Sequence, residues 1–250
     1  MAYRIETNNQ IMTFTIDRPH IRNAINGEVM EGLEELALRA SGEDIRFVVI
    51  TATGDQAFCS GGDLSVFHEL KTEQQAWPML NRMGQALYAI KTLPVPVVAL
   101  VNGTAVGGGC EIATACDYRL VRKHAKCGFI QGTLAITSGW GGGTYLFEAL
   151  RHDAALKMLS DARAYSADEL LANGWASAII EEDRDVEHFL ASMKRVLPEV
   201  HRAYKAMAIR KWQATNLKER VDQEIRECAV LWAEQAHHAA VDGFLNKNKK

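Results

Sequence analysis

The stretch NGTAVGGGCEIATACDY, Asn102 to Tyr118, sets Gly107, Gly108 and Gly109 just ahead of Cys110 and a lone Glu111, directly after an apolar run ending at Val101. A second stretch, AFCSGGDLSVF from Ala57 to Phe67, reaches Gly61 and Gly62 and then Asp63 in the same way. In each, a strand would end at a tight turn whose glycines permit unusual backbone angles and leave free N–H groups at a helix start. Two such turns facing one cavity would form an anion hole. That geometry suits an oxygen that turns negative during reaction, each donor being worth on the order of 3 kcal/mol. Glycine clusters also serve close backbone packing, and spacing alone leaves both readings open.

Phosphate loops fit less well. GxxxxGK[ST] needs a lysine, and the glycines here are followed by Cys110 and Glu111; an early GxGxxG is absent as well.

The elements that would carry these turns alternate. IMTFTI (Ile11 to Ile16), RFVVITA (Arg46 to Ala52) and VPVVALV (Val95 to Val101) predict strands, two of them nearly continuous in apolar character, as buried strands are. NGEVMEGLEELALRA places Val29, Leu33, Leu36 and Leu38 at near-helical spacing, and EQQAWPMLNRMGQALYAIKTL predicts a longer helix interrupted by Pro78. Strand, helix, strand, helix, strand marks an α/β domain with right-handed crossovers. From about Ala154 the strand signal fades into amphipathic helical segments. YSADELLANGWA carries a capping-box spacing at Ser166 and Glu169 and a stop at Gly174. The NKNKK tail predicts a frayed end.

Composition bounds the partners. The chain has 250 residues, 28 basic against 31 acidic for a net charge of -3, enough for one large domain with its own core. No basic stripe with interleaved aromatics argues for nucleic acid. The five cysteines lack CxxC spacing, so reduced thiols in a cytoplasmic compartment are expected rather than a disulfide framework or thiolate zinc site. The N-terminus has no apolar signal core, and no window reaches the roughly 18 apolar residues of a membrane span.

AFCSGGDL, VNGTAVGGGCEIATACDYRL and AKCGFIQGTLAITSGWGGG, in this order and with IDRPHIRNAIN, YSADELLANGWASAII and DGFLNKNK around them, resemble the crotonase, or enoyl-CoA hydratase and isomerase, superfamily across nearly the whole chain. The resemblance implies an α/β crotonase (ClpP-like) fold of repeated ββα units over residues 1–190 and a helical section over 191–250 that mediates a homotrimer or dimer of trimers. It implies an acyl-CoA thioester as substrate, with no metal and no cofactor beyond the CoA it carries. Its carbonyl oxygen would lie between the amides of Gly62 and Gly108, with Glu111 one helical turn on, facing the α and β carbons. For CoA it points to Arg22 and to the backbone of Ala24, Asp63 and Leu64. Arg22 could meet a phosphate or remain a solvated surface charge; Lys247 and Lys249 could reach a neighbouring subunit's CoA or form a flexible tail.

Hydratases of the family use a second glutamate where this chain has Gln131, and glutamine cannot exchange a proton at neutral pH. Losing one of two acid/base groups costs about two to four orders of magnitude in rate. An efficient two-carboxylate hydration, or an isomerase shuttle, is disfavoured. SGWGGG (Ser138 to Gly143) resembles the SWGG of the ethylmalonyl-CoA decarboxylase branch, with Ser138 where that branch has proline and Gly139 where it has serine. Trp140 would then line a short acyl pocket, its other role being core packing beneath the glycine turn. The motifs and the resemblance together imply a lyase that holds an enolate between Gly62 and Gly108, with Glu111 as acid/base and Gln131 as polar orienter, leaning to alkylmalonyl-CoA decarboxylation. Enoyl-CoA hydration and a catalytically weak acyl-CoA-binding protein are the alternatives. Cys59 and Cys110 read as small buried residues, although helix starts can lower a thiol pKa. His68 reads as a surface histidine, the adjacent His237 and His238 not as a metal pair, and Asp117 as an ion-pair partner of Arg119 or another basic group.

Overall fold

The computed structural model of the chain describes residues 1–247; Lys249 lies outside them. Strands β1 (Tyr3–Asn8) and β2 (Ile11–Ile16) form an antiparallel hairpin. Its two-residue turn, Asn9 and Gln10, has positive φ at both positions, the twist that suits such hairpins. Helix α1 (Gly27–Gly42) starts where the Asn26 side chain accepts from the Val29 N–H. It buries Val29, Met30, Leu33, Leu36 and Ala37, whereas Leu38 is 76% exposed. Leu38 thus falls outside the helical set it was grouped with: the 3.6-residue period carries Ala37, not Leu38, to the inner face.

Three ββα units follow. Strands β3 (Phe47–Ala52) and β4 (Ala57–Cys59) lead into the short α2 (Leu64–Phe67) and the long α3 (Glu73–Lys91). Next come β5 (Val97–Val101), β6 (Thr104–Val106) and α4 (Gly108–Ala115). The third unit is β7 (Tyr118–Arg122) and β8 (Lys126–Gly128), a 3-10 turn over Gln131–Leu134, then α5 (Gly142–Ala149) and α6 (His152–Asp161). After these lie β9 (Tyr165–Ser166), α7 (Ala167–Ala172), β10 (Ala178–Ile180), α8 (Asp183–Lys194), α9 (Pro198–Ala214), α10 (Leu217–Trp232) and α11 (Gln235–Lys247). The long strand of each unit joins a six-stranded sheet, ordered β1-β2-β3-β5-β7-β10 and parallel from β2 onward. The short strands form a second sheet, β4-β6-β8-β9. Three-residue strands are too short to show a period, which is why β4, β6 and β8 were invisible in the sequence.

The expected interruption at Pro78 does not occur. Pro78 is the sixth residue of α3, which continues to Lys91 behind a capping box made by Thr72 and Gln75. One lost N–H is outweighed by the packing of Leu80, Met83, Leu87 and Ile90 in the core, where α3 lies against α10. Ser166 and Glu169 form the expected capping box, and Gly174 follows with φ of +86°. The apolar core runs continuously from the sheet into α10, through Val221, Ile225, Cys228 and Trp232. Residue 190, the expected domain boundary, falls inside α8.

Asp117 finds Lys205 of α9 rather than Arg119: the Lys205 ammonium donates to both carboxylate oxygens at 2.6 and 2.5 Å. The Arg119 guanidinium instead donates to the carbonyls of Trp175 and Cys116. Beside this pair Lys91 is buried with its Nζ 4.7 Å from the centre of the Trp212 ring. Burial drives the Lys91 pKa down to about 8, against the pull of Asp117. Below its unfolded value of about 10.4, the unfolded chain holds this proton more tightly, so the group's contribution to stability rises as pH climbs from 8 to 10. Lys91→Met should be the more stable protein at pH 7, by up to about 3 kcal/mol, and lose that advantage by pH 10. Urea denaturation of both proteins at the two pH values checks this.

Candidate active site

Gly61 and Gly107 carry the two turns. Gly61 has φ of +99° and Gly107 φ of +56°, conformations that side chains resist, and each swings the amide of the next residue outward. The two turns are locked together: a Cβ on Gly109 would lie 2.1 Å from the Cys59 carbonyl oxygen, and one on Gly61 would lie 3.3 Å from the Gly108 nitrogen. Among the described residues neither the Gly62 nor the Gly108 N–H donates to a protein acceptor, and Gly108, opening α4, has no partner within its own helix. Both glycines border one cavity of about 130 Å³, together with Leu64, Glu111, Gln131 and Trp140.

Glu111 lies in the first turn of α4 and is 2% exposed. Its Oε1 accepts from Gln131 Nε2 at 2.9 Å and from the Gly139 N–H at 3.4 Å; its Oε2 accepts from the N–H groups of Trp140 at 2.8 Å and Gly142 at 3.0 Å. Burial, and next the charge of Glu224, raise its pKa to about 8, while the backbone donors hold it back. Such a carboxyl is poised for proton transfer near neutral pH. Gln131, 8% exposed, leaves its Oε1 buried without a partner. Trp140 is buried, and its indole presses on Gly108, where a Cβ would meet the ring at 2.0 Å. The ring thus packs beneath the glycine turn and also borders the cavity.

The residues expected to meet CoA divide. Leu64 borders the cavity. Asp63 is used internally: its carboxylate accepts from the Ser65 N–H and hydroxyl and from Arg18 Nη2 at 3.0 Å, and its N–H donates to the Ile25 carbonyl. Burial pushes the Asp63 pKa up, but Ser65 and Arg18 outweigh it and hold the carboxyl below its usual range. The Ala24 carbonyl accepts from Arg18 Nη1 and its N–H donates to Ile21, so both backbone groups are engaged. Arg22 is exposed with φ of +55°, and its carbonyl accepts from Ser60, tying it to the first glycine turn.

Cys59 and Cys110 are buried, and burial raises both thiols, Cys59 to about 12. The helix starts do not lower them. His68 does not border the Glu111 cavity, whereas buried His237 does, its Nδ1 paired with the Leu134 carbonyl. Among the described residues no group of three or more His, Cys, Asp or Glu side chains could hold a metal, and no helix is long and apolar enough to cross a membrane.

Glu224 belongs to none of the sequence motifs. It extends from α10 and accepts from the N–H groups of Gly143 at 3.1 Å and Thr144 at 2.7 Å, on the far side of the turn that holds Glu111. A signal was present. Glu224 lies three residues after Val221 and four before Cys228, both buried, so the spacing sets its carboxyl on the edge of the apolar stripe.

The fold is that of the crotonases. The crystal structure of an enoyl-CoA hydratase from Bacillus halodurans is similar with a TM-score of 0.88 at 22% identity, covering 97% of this chain and all of that one. A carnitinyl-CoA hydratase from Mycobacterium avium gives 0.83 at 27% identity, over 98% of this chain and 96% of its own. The family model described as enoyl-CoA hydratase/isomerase matches residues 6–250, and the chain belongs to this family, within the crotonase superfamily of acyl-CoA enzymes. Its relatives are chemically mixed. They include an (E)-benzylidenesuccinyl-CoA hydratase of Thauera aromatica, 35% identical over 72% of this chain and 70% of the relative. A crotonyl-CoA hydratase of Syntrophomonas wolfei is 27% identical over 100% and 98%, and an ethylmalonyl-CoA decarboxylase of Bos taurus 29% over 96% and 81%.

Close approach at Gly109 is what sets one turn against the other. Gly109→Ala should cost about 1–3 kcal/mol or more by overpacking against backbone, read as a lower urea midpoint. Gly27→Ala, where a Cβ would meet nothing within 4 Å, serves as the neutral comparison.

Proposed function

We propose that the protein is an acyl-CoA lyase that decarboxylates a short alkylmalonyl thioester. The observation that carries this reading is the state of Glu111. It is the one carboxyl group bordering the cavity among the described residues, its proton affinity is raised, and its partner is an amide. A neutral acid does not repel the carboxylate of a malonyl-type substrate. Among the described residues the cavity has no lysine or arginine either, and its surface is dominated by groups such as Leu80, Ile136, Trp140 and Trp232. Apolar surroundings penalise a carboxylate relative to neutral CO2.

In this reading the bond between the α carbon and the carboxylate breaks, CO2 leaves, and the electron pair passes to the thioester oxygen. That oxygen accepts from the Gly62 and Gly108 N–H groups. Glu111 then gives its proton to the α carbon and regains one from solvent. A protonated Glu111 needs an acceptor for its O–H, and the unpartnered Gln131 Oε1 supplies it when the amide turns over. The indole of Trp140 limits the acyl group to a short one.

Arg22 near the CoA phosphates and self-association through the C-terminal helices belong to the same reading. The exposed Leu197, Val200, Tyr204 and Met207, three or four residues apart at and along α9, support the second.

Enoyl-CoA hydration is the second reading, favoured by the full-length likeness to the Syntrophomonas wolfei enzyme. Against it, the side-chain partner of Glu111 is the amide of Gln131, which cannot exchange a proton as a second carboxyl would. Incubation with ethylmalonyl-, methylmalonyl- and crotonyl-CoA, followed by mass spectrometry, separates the cases. CO2 loss from a malonyl thioester is expected, constant at low pH and falling above about pH 8 as Glu111 loses its proton. Glu111→Gln should lower the rate by about 10²–10⁴-fold. Water addition to crotonyl-CoA without CO2 release would replace this reading with hydration. CoA binding without turnover, unchanged in Glu111→Gln, would point to a binding protein.

A further inference from the structure

A buried carboxyl and a half-buried one grip one turn from opposite sides. Glu111 accepts from the amides of Gly139, Trp140 and Gly142, and Glu224 from those of Gly143 and Thr144. Gly142 and Gly143 separate them: a Cβ on the first would lie 2.3 Å from Glu111 Cγ, and one on the second 3.5 Å from both Glu224 oxygens. Glu224 opens on a different cavity, of about 590 Å³, which shares Gln131, Ile136 and Thr137 with the Glu111 cavity. Five consecutive or near-consecutive N–H groups at the start of α5 are thus divided between two acids on different helices.

We propose that Glu224 is a positioning residue for Glu111: it anchors the Ser138–Thr144 segment whose amides and Trp140 ring shape the site, and its charge keeps Glu111 in the neutral acid form. The proposal rests on the reading of Glu111 as proton donor. Burial and the repulsion of two nearby carboxylates both favour holding at least one proton on the pair. The pKa values of both groups are raised, mainly by burial, with Glu224 next among the causes at Glu111. Other groups around the pair are accounted for. Cys110, Cys228 and Tyr145 are held neutral by burial. Arg220, on the Glu224 cavity, is paired with Glu148; Glu227 is exposed there; and His237 is engaged with the Leu134 carbonyl.

The test compares the pH dependence of kcat for malonyl-thioester decarboxylation in the full chain, in Glu224→Gln and in Glu224→Asp. Glu224→Gln keeps an acceptor for the turn but removes the charge. Its high-pH limb should move down by about one unit, with KM changed less than twofold, whereas Glu224→Asp should keep the limb near that of the unaltered protein. A limb that stays in place in Glu224→Gln, or moves equally in both variants, overturns the proposal. A second measurement needs neither turnover nor variant folding. In the unaltered protein, the ¹³C carboxyl resonances of Glu111 and Glu224 should each show an inflection at the other's midpoint. Two independent single-site curves would overturn the coupling even if decarboxylation is found, and coupled curves in a protein without that activity would leave the coupling intact while removing its catalytic use.

Discussion

Burying the Glu111 carboxyl is the constraint from which the site is built. A carboxyl taken out of water is costly unless its lone pairs are filled, and here three backbone amides and one side-chain amide fill them. The backbone donors come from a segment about thirty residues further along the chain. That segment has to pass so close to the Glu111 side chain that Gly142 has no room for a Cβ. Trp140 travels with the segment and is laid on Gly108. One buried acid thereby joins α4, the 3-10 turn that starts at Gln131, and the start of α5.

The pair of free amides depends on a second close approach. Gly109 sits against the Cys59 carbonyl, which brings the turn before α4 up to the turn after β4. Since β4 and β6 are paired in the small sheet, the repeat of the ββα unit places equivalent turns side by side at the same edge. The free amides of Gly62 and Gly108 border one cavity because consecutive units are stacked, with no separate device needed to aim them.

The C-terminal helices take part in the site. Helix α10 lies against α3, delivers Glu224 to the turn behind Glu111, and sends the Trp232 indole N–H to the Leu70 carbonyl. His237 of α11 reaches the Leu134 carbonyl over the same cavity. The electrostatics follow from this packing: two acids from segments more than a hundred residues apart lie on either side of one turn, and the charge of Glu224 adds to burial in making Glu111 harder to ionise.

The sequence by itself determined what is local. The glycine turns, the acid one turn into α4, the glutamine twenty residues later, the Ser166–Glu169 capping box and the apolar strands β2, β3 and β5 are each written within a few residues, because backbone angles, caps and periodicity are short-range properties. Only the tertiary structure decided the pairings. Asp117 finds Lys205 and not Arg119, Asp63 is taken by Arg18, Leu38 points away from the core, and α3 passes through Pro78 because its face is packed. Glu224 joins Glu111 through a turn that neither neighbours in sequence. Burial and long-range contact set these outcomes, and both depend on which segments the chain brings together rather than on the residue types within any one of them.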